Sequence, residues 1–248
     1  MLPRSSQRYQ SYRDTDPLAR RARRLLLFVV LVFLVYEGAT TLLVSTVEQK
    51  TVAMRPTLEP GDRLFTLPPV YGPRIVLFGW TLPGFADPQR GDLVTVRPAY
   101  AHEHRFFARL ADPFYRFATL QNKRLGERTD WDSRLQIKRV VGLPGDTVEL
   151  ERFVAYVRPE GASEFVSEFA LAGRDYELAT AERPDSWQPL DPFGEASSAI
   201  TLGEDEYFLL ADDRSAAIDS RHWGPVESDD ILAKVSIRFW PFSRFGRP

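Results

Sequence analysis

From residue 46 onward, the chain is a succession of short segments rich in β-branched and aromatic residues, separated by Gly, Pro and Asp. Alternating segments of this kind are typical of antiparallel strands, and Gly- or Pro-containing dipeptides mark the turns between them. No long amphipathic helical pattern occurs in this part of the chain. The sequence therefore predicts a mainly β fold. The segments lie at 62–67, 91–98, 135–141, 146–157, 206–211 and 231–240, and the turns at Pro60-Gly61-Asp62, Arg90-Gly91-Asp92 and Pro144-Gly145-Asp146.

An apolar run, Leu25–Tyr36, follows an arginine-rich start. Twelve residues of helix reach only about 18 Å, whereas residues 25–45 reach about 31 Å, enough for a bilayer core of about 30 Å. The longer span includes Glu37, at a cost of roughly 2.5–3.5 kcal/mol that so apolar a run can absorb. We therefore predict a single transmembrane helix over 25–45, with the basic residues 1–24 cytoplasmic and the main domain outside, in the periplasm or extracellular space. A cleaved signal peptide ending at Thr51-Val52-Ala53 and a buried soluble helix are less favoured alternatives.

Composition excludes several classes of function. The 248 residues carry a net charge of −2, which gives no global field for binding nucleic acid. There is no cysteine, hence no disulfide, thiolate nucleophile or thiolate metal site. His102-Glu103-His104 could place two imidazoles on one strand face, but no third ligand is near in the sequence. We expect neither a metal nor a cofactor.

Three segments look like insertions between the strands. Residues 70–88 are apolar and aromatic, and could either dip into a membrane interface or pack beneath a loop. Residues 102–120 interleave aromatics with arginine, which predicts a lipid-facing or core-covering arm rather than a base-stacking surface. Residues 158–202 are rich in Glu, Ser, Ala and Pro and predict a solvated excursion or small cap.

Four blocks carry the most specific signal: AMRPTLEPGD at 53–62, RGDLVTV at 90–96, KRVVGLPGD at 138–146 and DDRSAAIDSRHWG at 212–224. In this order behind an N-terminal anchor, they make the chain resemble the signal peptidase I family of membrane-bound serine–lysine peptidases. The resemblance covers residues 25–245. It implies a β-rich exoplasmic domain with a shallow cleft near the membrane and a β cap, acting on exported preproteins with small residues at the cleavage site.

The resemblance also implies roles for individual residues. A serine hydroxyl needs a base to remove its proton, and a lysine can act as that base only when burial lowers its pKa. Lys138 matches the general-base position, and its neighbours suit burial of the aliphatic stem. Thr51 matches the oxyanion-hole donor, a group whose loss typically costs about 10²–10³ in rate.

Two positions depart from the family pattern. Ala53 stands where the nucleophilic serine is expected, and Ala217 where a second serine orients the lysine. Ala211, immediately before the last block, and Asp213 within it replace a glycine and an asparagine of the family pattern. The remaining motif positions are predicted to shape the cleft, with Asp212, Arg214, Asp219 and Arg221 forming an ion-pair scaffold beneath it. The other motif residues are Met54, Pro56, Thr57, Leu58, Gly61, Asp62, Arg139, Gly142, Gly145, Asp146 and Ser220.

The sequence leaves two main functional hypotheses. The first is a non-catalytic homologue, a pseudoenzyme that binds signal peptides or a secretion-machinery partner at the cell membrane. The second is a signal peptidase present in an inactivated form or using another nucleophile. A structural envelope protein is a more remote third. The predicted organisation is a cytoplasmic tail (1–24), a transmembrane helix (25–45) and an exoplasmic domain (46–248), with a core at about 46–157 and 203–245 and a cap at about 158–202.

Overall fold

The computed structural model describes residues 17–72, 74–75, 80–98, 114–115, 117–119, 135–151, 153–180, 198–215 and 217–248. Within these ranges, strands are the dominant regular structure, as predicted. Their bounds are β1 Ser45–Glu48, β2 Arg63–Leu67, β3 Arg74–Ile75, β4 Trp80–Thr81, β5 Leu93–Val96, β6 Gln136–Gly142, β7 Thr147–Glu151, β8 Val154–Arg158, β9 Val166–Ser167, β10 Ile200–Thr201, β11 Glu206–Leu210, β12 Val226–Glu227 and β13 Ile231–Trp240.

Seven of these strands form the main sheet, in the order β1-β2-β13-β5-β6-β11-β12. All of its pairings are antiparallel, and the three innermost neighbours β13, β5 and β6 are rich in buried β-branched residues. Such residues pack well on a pleated, half-buried surface, which explains why these segments form the centre of the sheet. The predicted strands at 62–67, 91–98, 135–141, 206–211 and 231–240 all lie in this sheet.

A smaller sheet, β10-β7-β8-β9, packs against the main one. Val148 and Ala155 of this sheet, together with Leu202 just after β10, share an apolar cluster with Phe208 and Leu210 of β11. Gly142 lies at this junction, where an added Cβ would come within 2.8 Å of Leu202 and Val148. The motif glycine thus permits close packing of the two sheets. The predicted boundary of the cap remains a prediction.

The three predicted Gly-Asp turns share one local geometry. Gly61, Gly91 and Gly145 have φ of 91°, 84° and 79°, a left-handed conformation that glycine adopts without a steric penalty. The aspartate that follows each glycine accepts a hydrogen bond from the backbone N–H three residues before it, at 3.0 Å for Asp62 and 2.7 Å for Asp146. These short turns hold β2, β5 and β7 in register with their neighbours.

Helix α1, Pro17–Leu42, is the long helix of the described residues. Many apolar side chains of Leu25–Val35 are exposed. The helix ends three residues before Ser45, which already belongs to β1, so the predicted helical end at 45 is too late. Within the described ranges, no helix combines the length and the apolar character needed to cross a membrane.

The predicted insertions differ in their packing. In the described part of 102–120, Phe114 stacks on Phe33 of α1 at 4.5 Å and Phe117 meets the same ring edge-on at 5.4 Å. In 70–88, Phe85 is 86% exposed, so its ring is not packed beneath the loop. In 158–202, Glu168 is buried at 3% exposure, where the sequence predicted a solvated excursion. His102-Glu103-His104 lies outside the described residues.

Candidate functional site

The Ala53 loop is a single turn of 3₁₀ helix, Val52–Met54, capped by Thr51. The Thr51 hydroxyl accepts a long hydrogen bond of 3.4 Å from the Ala53 backbone N–H. Buried Gln49 donates from its amide to the Thr51 carbonyl at 2.7 Å and to the Thr51 hydroxyl at 3.3 Å. Gln49 therefore fixes the backbone that presents Thr51 and Ala53, a contact that the sequence did not predict.

Lys138 lies in β6, in register with Val94 of β5, and is 1% exposed. Burial lowers the pKa of its ammonium group from 10.5 to about 8, while the carboxylates of Asp219 and Asp212 partly oppose this effect. Its Nζ lies 5.7 Å from the centroid of the Trp223 ring. Among the described residues, no ion pair or side-chain hydrogen bond involves Lys138.

The loop after β11 joins Ala53 to the last sequence block. The Asp213 backbone N–H donates to the Ala53 carbonyl at 3.0 Å, which ties the two blocks together. Ala217 is buried, and it belongs to the same apolar cluster against which Ala53 packs. The positions predicted for the two missing serines thus meet in one apolar environment. The buried members of the cluster are Met54, Leu58, Leu64, Leu93, Ile137, Ala211, Ala217 and Val235.

Arg139, the residue after Lys138, makes a buried two-pronged ion pair with Asp212. Its Nε donates to Oδ1 at 2.7 Å and its Nη2 to Oδ2 at 2.6 Å. Thr57 of the Ala53 loop donates its hydroxyl to the same Asp212 carboxylate and accepts from Arg139 at 3.3 Å. Planar pairing of this kind adds geometric specificity to the interaction. Three of the four sequence blocks therefore converge on one carboxylate.

Asp219 organises the last sequence block. It accepts hydrogen bonds from the Arg221 side chain at 2.8 Å and from the Ala211 backbone N–H at 3.0 Å. Burial alone would raise the pKa of Asp219, but bonding to Arg221 and the positive charges of Arg221 and Lys138 lower it overall. Asp219 is thus held as a carboxylate, and its charge acts on Lys138. Ser220 next to it accepts from the Leu209 backbone N–H at 3.0 Å, which anchors the loop to β11.

Arg214 is fully buried and pairs with a residue outside the four blocks. Its Nη2 donates to Glu168 at 2.6 Å, and its Nε donates to the Ala211 carbonyl at 2.7 Å. Tyr176 donates its hydroxyl to the same Glu168 carboxylate, and its ring lies 4.0 Å from the Arg139 guanidinium carbon. Of the four residues predicted to form an ion-pair scaffold, Asp219 and Arg221 pair with each other. Asp212 pairs with Arg139, and Arg214 pairs with Glu168. Glu168 and Tyr176 belong to none of the four sequence blocks, and no sequence pattern predicts that they reach the site. The fold brings them there.

The other motif residues hold the site in place through core packing and ion pairs. Met54 and Leu58 are core residues, and Pro56 follows a cis peptide bond. Asp62 is buried and accepts from Arg238 at 3.2 Å and from Arg244, which joins the Ala53 loop to the C-terminal segment. Asp146 accepts two hydrogen bonds of 2.7 Å from Arg90.

Lys138 is thus a buried amine, and the two positions predicted to carry serine hydroxyls carry methyl groups instead. Because burial lowers the pKa of Lys138 to about 8, a larger share of its side chains is neutral near neutral pH than for an ordinary lysine. Ala53 and Ala217 offer only methyl groups, and a methyl group cannot act as a nucleophile. The described residues include no group of three or more potential ligands that could hold a metal ion.

Comparison with known proteins gives a consistent picture. The family described as "Signal peptidase, peptidase S26" matches residues 22–240. Signal peptidase IB of Staphylococcus aureus is 37% identical over 111 residues, which cover 44% of this chain and 55% of that protein. Signal peptidase I of Streptococcus pneumoniae is 30% identical over 129 residues, which cover 44% of this chain and 63% of that protein.

These two matches span somewhat more than half the length of each relative. A crystal structure of a signal peptidase I from Enterococcus faecalis aligns with a TM-score of 0.33 at 21% identity, over 60% of this chain and 97% of that one. The family match extends over residues 22–240, which is most of the chain. This protein therefore belongs to the signal peptidase I family.

Proposed function

We propose that this protein binds the signal peptides of exported preproteins, or a membrane partner, at the Ala53–Lys138 site without cleaving them. One observation carries the proposal: Ala217 lies in a buried apolar cluster against which Ala53 packs, and Ile137, the residue before buried Lys138 in β6, belongs to the same cluster. Acyl transfer by a serine–lysine pair requires a hydroxyl that can lose its proton to the base. Two methyl groups at these positions preserve the shape of the site but remove both hydroxyls.

The second candidate function is that of a signal peptidase in an inactivated form, or with another nucleophile. The state of Lys138 favours it, because a base with a pKa near 8 is poised for proton transfer at neutral pH. Thr51, kept at the predicted oxyanion-hole position, also favours it. Loss of the second serine position argues for the non-catalytic reading, since removing the nucleophile alone would already abolish acyl-enzyme formation.

A cleavage assay separates the two candidates. The full chain in detergent micelles is incubated with a preprotein that carries alanine at its −3 and −1 positions, together with the Ala53→Ser and Ala53→Ser/Ala217→Ser variants. We expect no cleavage by the unmodified chain, and cleavage by the double variant. A triple variant that adds Lys138→Met is the matched control and should be inactive.

Each other result has a defined meaning. Turnover by the unmodified chain, abolished by Lys138→Met, would refute the non-catalytic proposal. Full activity in Ala53→Ser alone would favour a peptidase inactivated only at its nucleophile. Activity that requires both serines would support a site that has drifted at two positions.

We further propose that α1 holds the protein at the cytoplasmic membrane, with its N-terminus cytoplasmic and the sheets outside. The exposed apolar side chains of Leu25–Val35 and the arginines before them support this placement. Alkaline carbonate extraction of membranes from the producing cells tests it. The full chain should stay in the pellet, and a chain beginning at residue 44 should be released. Release of the full chain would contradict the proposal.

A further inference from the structure

An aromatic arm, residues 114–115 and 117–119, packs against the middle of α1. Phe114 stacks on Phe33 of the helix, with ring centroids 4.5 Å apart and an angle of 3° between the ring planes. Phe117 meets Phe33 edge-on at 5.4 Å and Tyr36 edge-on at 5.1 Å. Because Phe33 and Tyr36 are about one helical turn apart, both rings of the arm lie along a single face of α1.

The face of α1 on which the arm packs differs from the rest of the helix in exposure. Phe33, Tyr36 and Glu37 are half-buried, and their spacing of i, i+3 and i+4 places them on one side of the helix. Leu31 and Leu34, on other sides, are 58% and 56% exposed. An acidic side chain in an apolar helix costs least when it faces protein and not lipid. The arm therefore packs on the side that carries Glu37, and the open sides of the helix are apolar.

The outer side of the arm continues the open apolar surface of the helix. Phe114 is 61% exposed although it stacks on Phe33, and Tyr115 beside it is 36% exposed. Val29 and Val30, which neighbour Phe33 one turn earlier on α1, are 46% and 43% exposed. The rings of the arm and the aliphatic side chains of the helix thus form one apolar surface. Exposed apolar surfaces of this kind mark contacts with other proteins or with membranes.

The local structure of the arm suits an environment without water. The Thr119 backbone N–H donates to the Tyr115 carbonyl at 3.0 Å, as in a helical turn, and the Thr119 hydroxyl donates to the same carbonyl at 2.8 Å. A segment that enters the apolar core of a bilayer must satisfy its backbone groups internally, since no water is available there. The sequence PFYRFATL at 113–120 carries one charge, Arg116, and one charge is a cost that apolar neighbours can offset.

We propose that the arm enters the apolar core of the bilayer beside α1, with Phe114 and Tyr115 against the lipid acyl chains. This inference rests on the proposal that α1 holds the protein at the membrane. Phe33 lies nine residues before Leu42, the last residue of α1, which corresponds to about 14 Å along the helix. A bilayer core is about 30 Å thick, so a ring stacked on Phe33 lies near its middle when α1 ends at the outer edge of the core. The protein thus contacts lipid through a second element, which enters the membrane without spanning it.

The test uses a single fluorescent label, which the absence of cysteine in the chain makes possible. The full chain carrying Tyr115→Cys, Leu31→Cys or Glu204→Cys is labelled with bimane and placed in lipid nanodiscs. Some nanodiscs contain lipids with a nitroxide in the middle of the acyl chain, and others contain lipids with a nitroxide on the headgroup. We expect the acyl-chain nitroxide to quench the label at 115 at least twofold more than the headgroup nitroxide does, as at 31 in α1. The label at exposed Glu204 should be quenched by aqueous iodide alone.

A second variant tests whether the contact with α1 holds the arm in the membrane. Phe33→Ala removes the ring on which Phe114 and Phe117 pack, and should reduce acyl-chain quenching of the label at 115 by at least half. Leu31→Ala is the matched control, because it shortens an exposed apolar side chain on another side of α1. It should leave the quenching at 115 unchanged, and an equal reduction in both variants would contradict the role of the ring contact.

The label at 31 separates failure of the inference from failure of the anchor proposal. Acyl-chain quenching at 31, with the label at 115 quenched only by aqueous iodide, would overturn the inference and leave the anchor in place. No acyl-chain quenching at either position would refute both. Strongest quenching at 115 by the headgroup nitroxide would place the arm at the interface and overturn its placement in the core. Protection of the label at 115 from all three quenchers would mean that protein, such as a second copy of this chain, covers the arm, and would also overturn the inference.

Discussion

Replacing Lys138 with methionine is expected to stabilise the folded protein near neutral pH. Methionine keeps an unbranched side chain of similar length and removes the buried charge. The pKa of Lys138 falls from 10.5 to about 8 on folding, because burial disfavours the ammonium form. At 1.36 kcal/mol for each tenfold change in proton affinity, this difference corresponds to about 3 kcal/mol of stability lost below pH 8.

The sign of the pH dependence follows from proton counting. Between pH 8 and 10.5 the unfolded chain keeps the Lys138 proton while the folded chain has released it. Stability rises with pH wherever the unfolded state binds more protons. The contribution of Lys138 to unfolding free energy should therefore increase across this window, and Lys138→Met should remove the increase. The free energy of unfolding of Lys138→Met should exceed that of the unmodified chain by about 3 kcal/mol at pH 7, and the two should be equal at pH 10.5.

The assay is urea unfolding followed by tryptophan fluorescence at pH 7, 9 and 10.5. The matched control is Lys234→Met, because Lys234 on β13 lies in register with Val94, which in turn pairs with Lys138. Lys234 is partly exposed and forms a 2.6 Å ion pair with Asp92, so its loss should destabilise the protein, by about 0–1 kcal/mol. A loss of stability at pH 7 in Lys138→Met, or an unchanged slope from pH 8 to 10.5, would refute the reasoning.

Two further predictions concern the same network. If the Ala53→Ser/Ala217→Ser variant cleaves preprotein, its rate should rise with pH and level off above an apparent pKa of about 8, since the base must be neutral; a flat profile from pH 6 to 9 would exclude Lys138 as the base. Glu168→Ala should destabilise the fold by about 3–5 kcal/mol in urea unfolding, because it leaves buried Arg214 without its carboxylate; a loss below 1 kcal/mol would contradict this.

An ion pair on the surface serves as the comparison for the stability change expected in Glu168→Ala. Arg55 and Glu59 form a 2.7 Å ion pair with both side chains well exposed to solvent. Exposed pairs of this kind contribute about 0–1 kcal/mol, so Glu59→Ala should change stability little. Similar losses of stability in Glu59→Ala and Glu168→Ala would mean that burial of the ion pair does not determine how much its removal destabilises the protein.

Local patterns predicted most strands and turns correctly, although the predicted segment 146–157 forms two paired strands, β7 and β8, and not one. The segment 231–240 is β13 from its first residue to its last, and Gly61, Gly91 and Gly145 take the left-handed conformation expected of a glycine before an aspartate in a tight turn. Alternation fixes which face of a strand is buried, and turn residues act within four positions of the chain. Neither the alternation along a strand nor the residues of a turn depends on which element the strand packs against.

The partners of the site's charged residues depend on the fold instead. Arg214 meets Glu168, 46 positions earlier, and Arg139 meets Asp212, 73 positions later. Nothing in the composition of 158–202 distinguishes buried Glu168 from the exposed acids around it, and a polar stretch was therefore predicted to be solvated. Its burial becomes intelligible only when the short helix Glu168–Leu171 is seen against β8 and Arg214. Long-range pairing, unlike turn formation, leaves no local signal.

The central claim, that the site retains a peptide-binding shape but cannot form an acyl-enzyme, is tested most directly by one combined measurement. A fluorescent signal peptide with alanine at −3 and −1 is titrated with the full chain in micelles, and the same sample is then analysed by mass spectrometry. We predict saturable binding with the peptide recovered intact, and cleavage only when Ala53→Ser/Ala217→Ser replaces the unmodified chain. Cleavage after the −1 alanine by the unmodified chain, or no saturable binding, would contradict the claim.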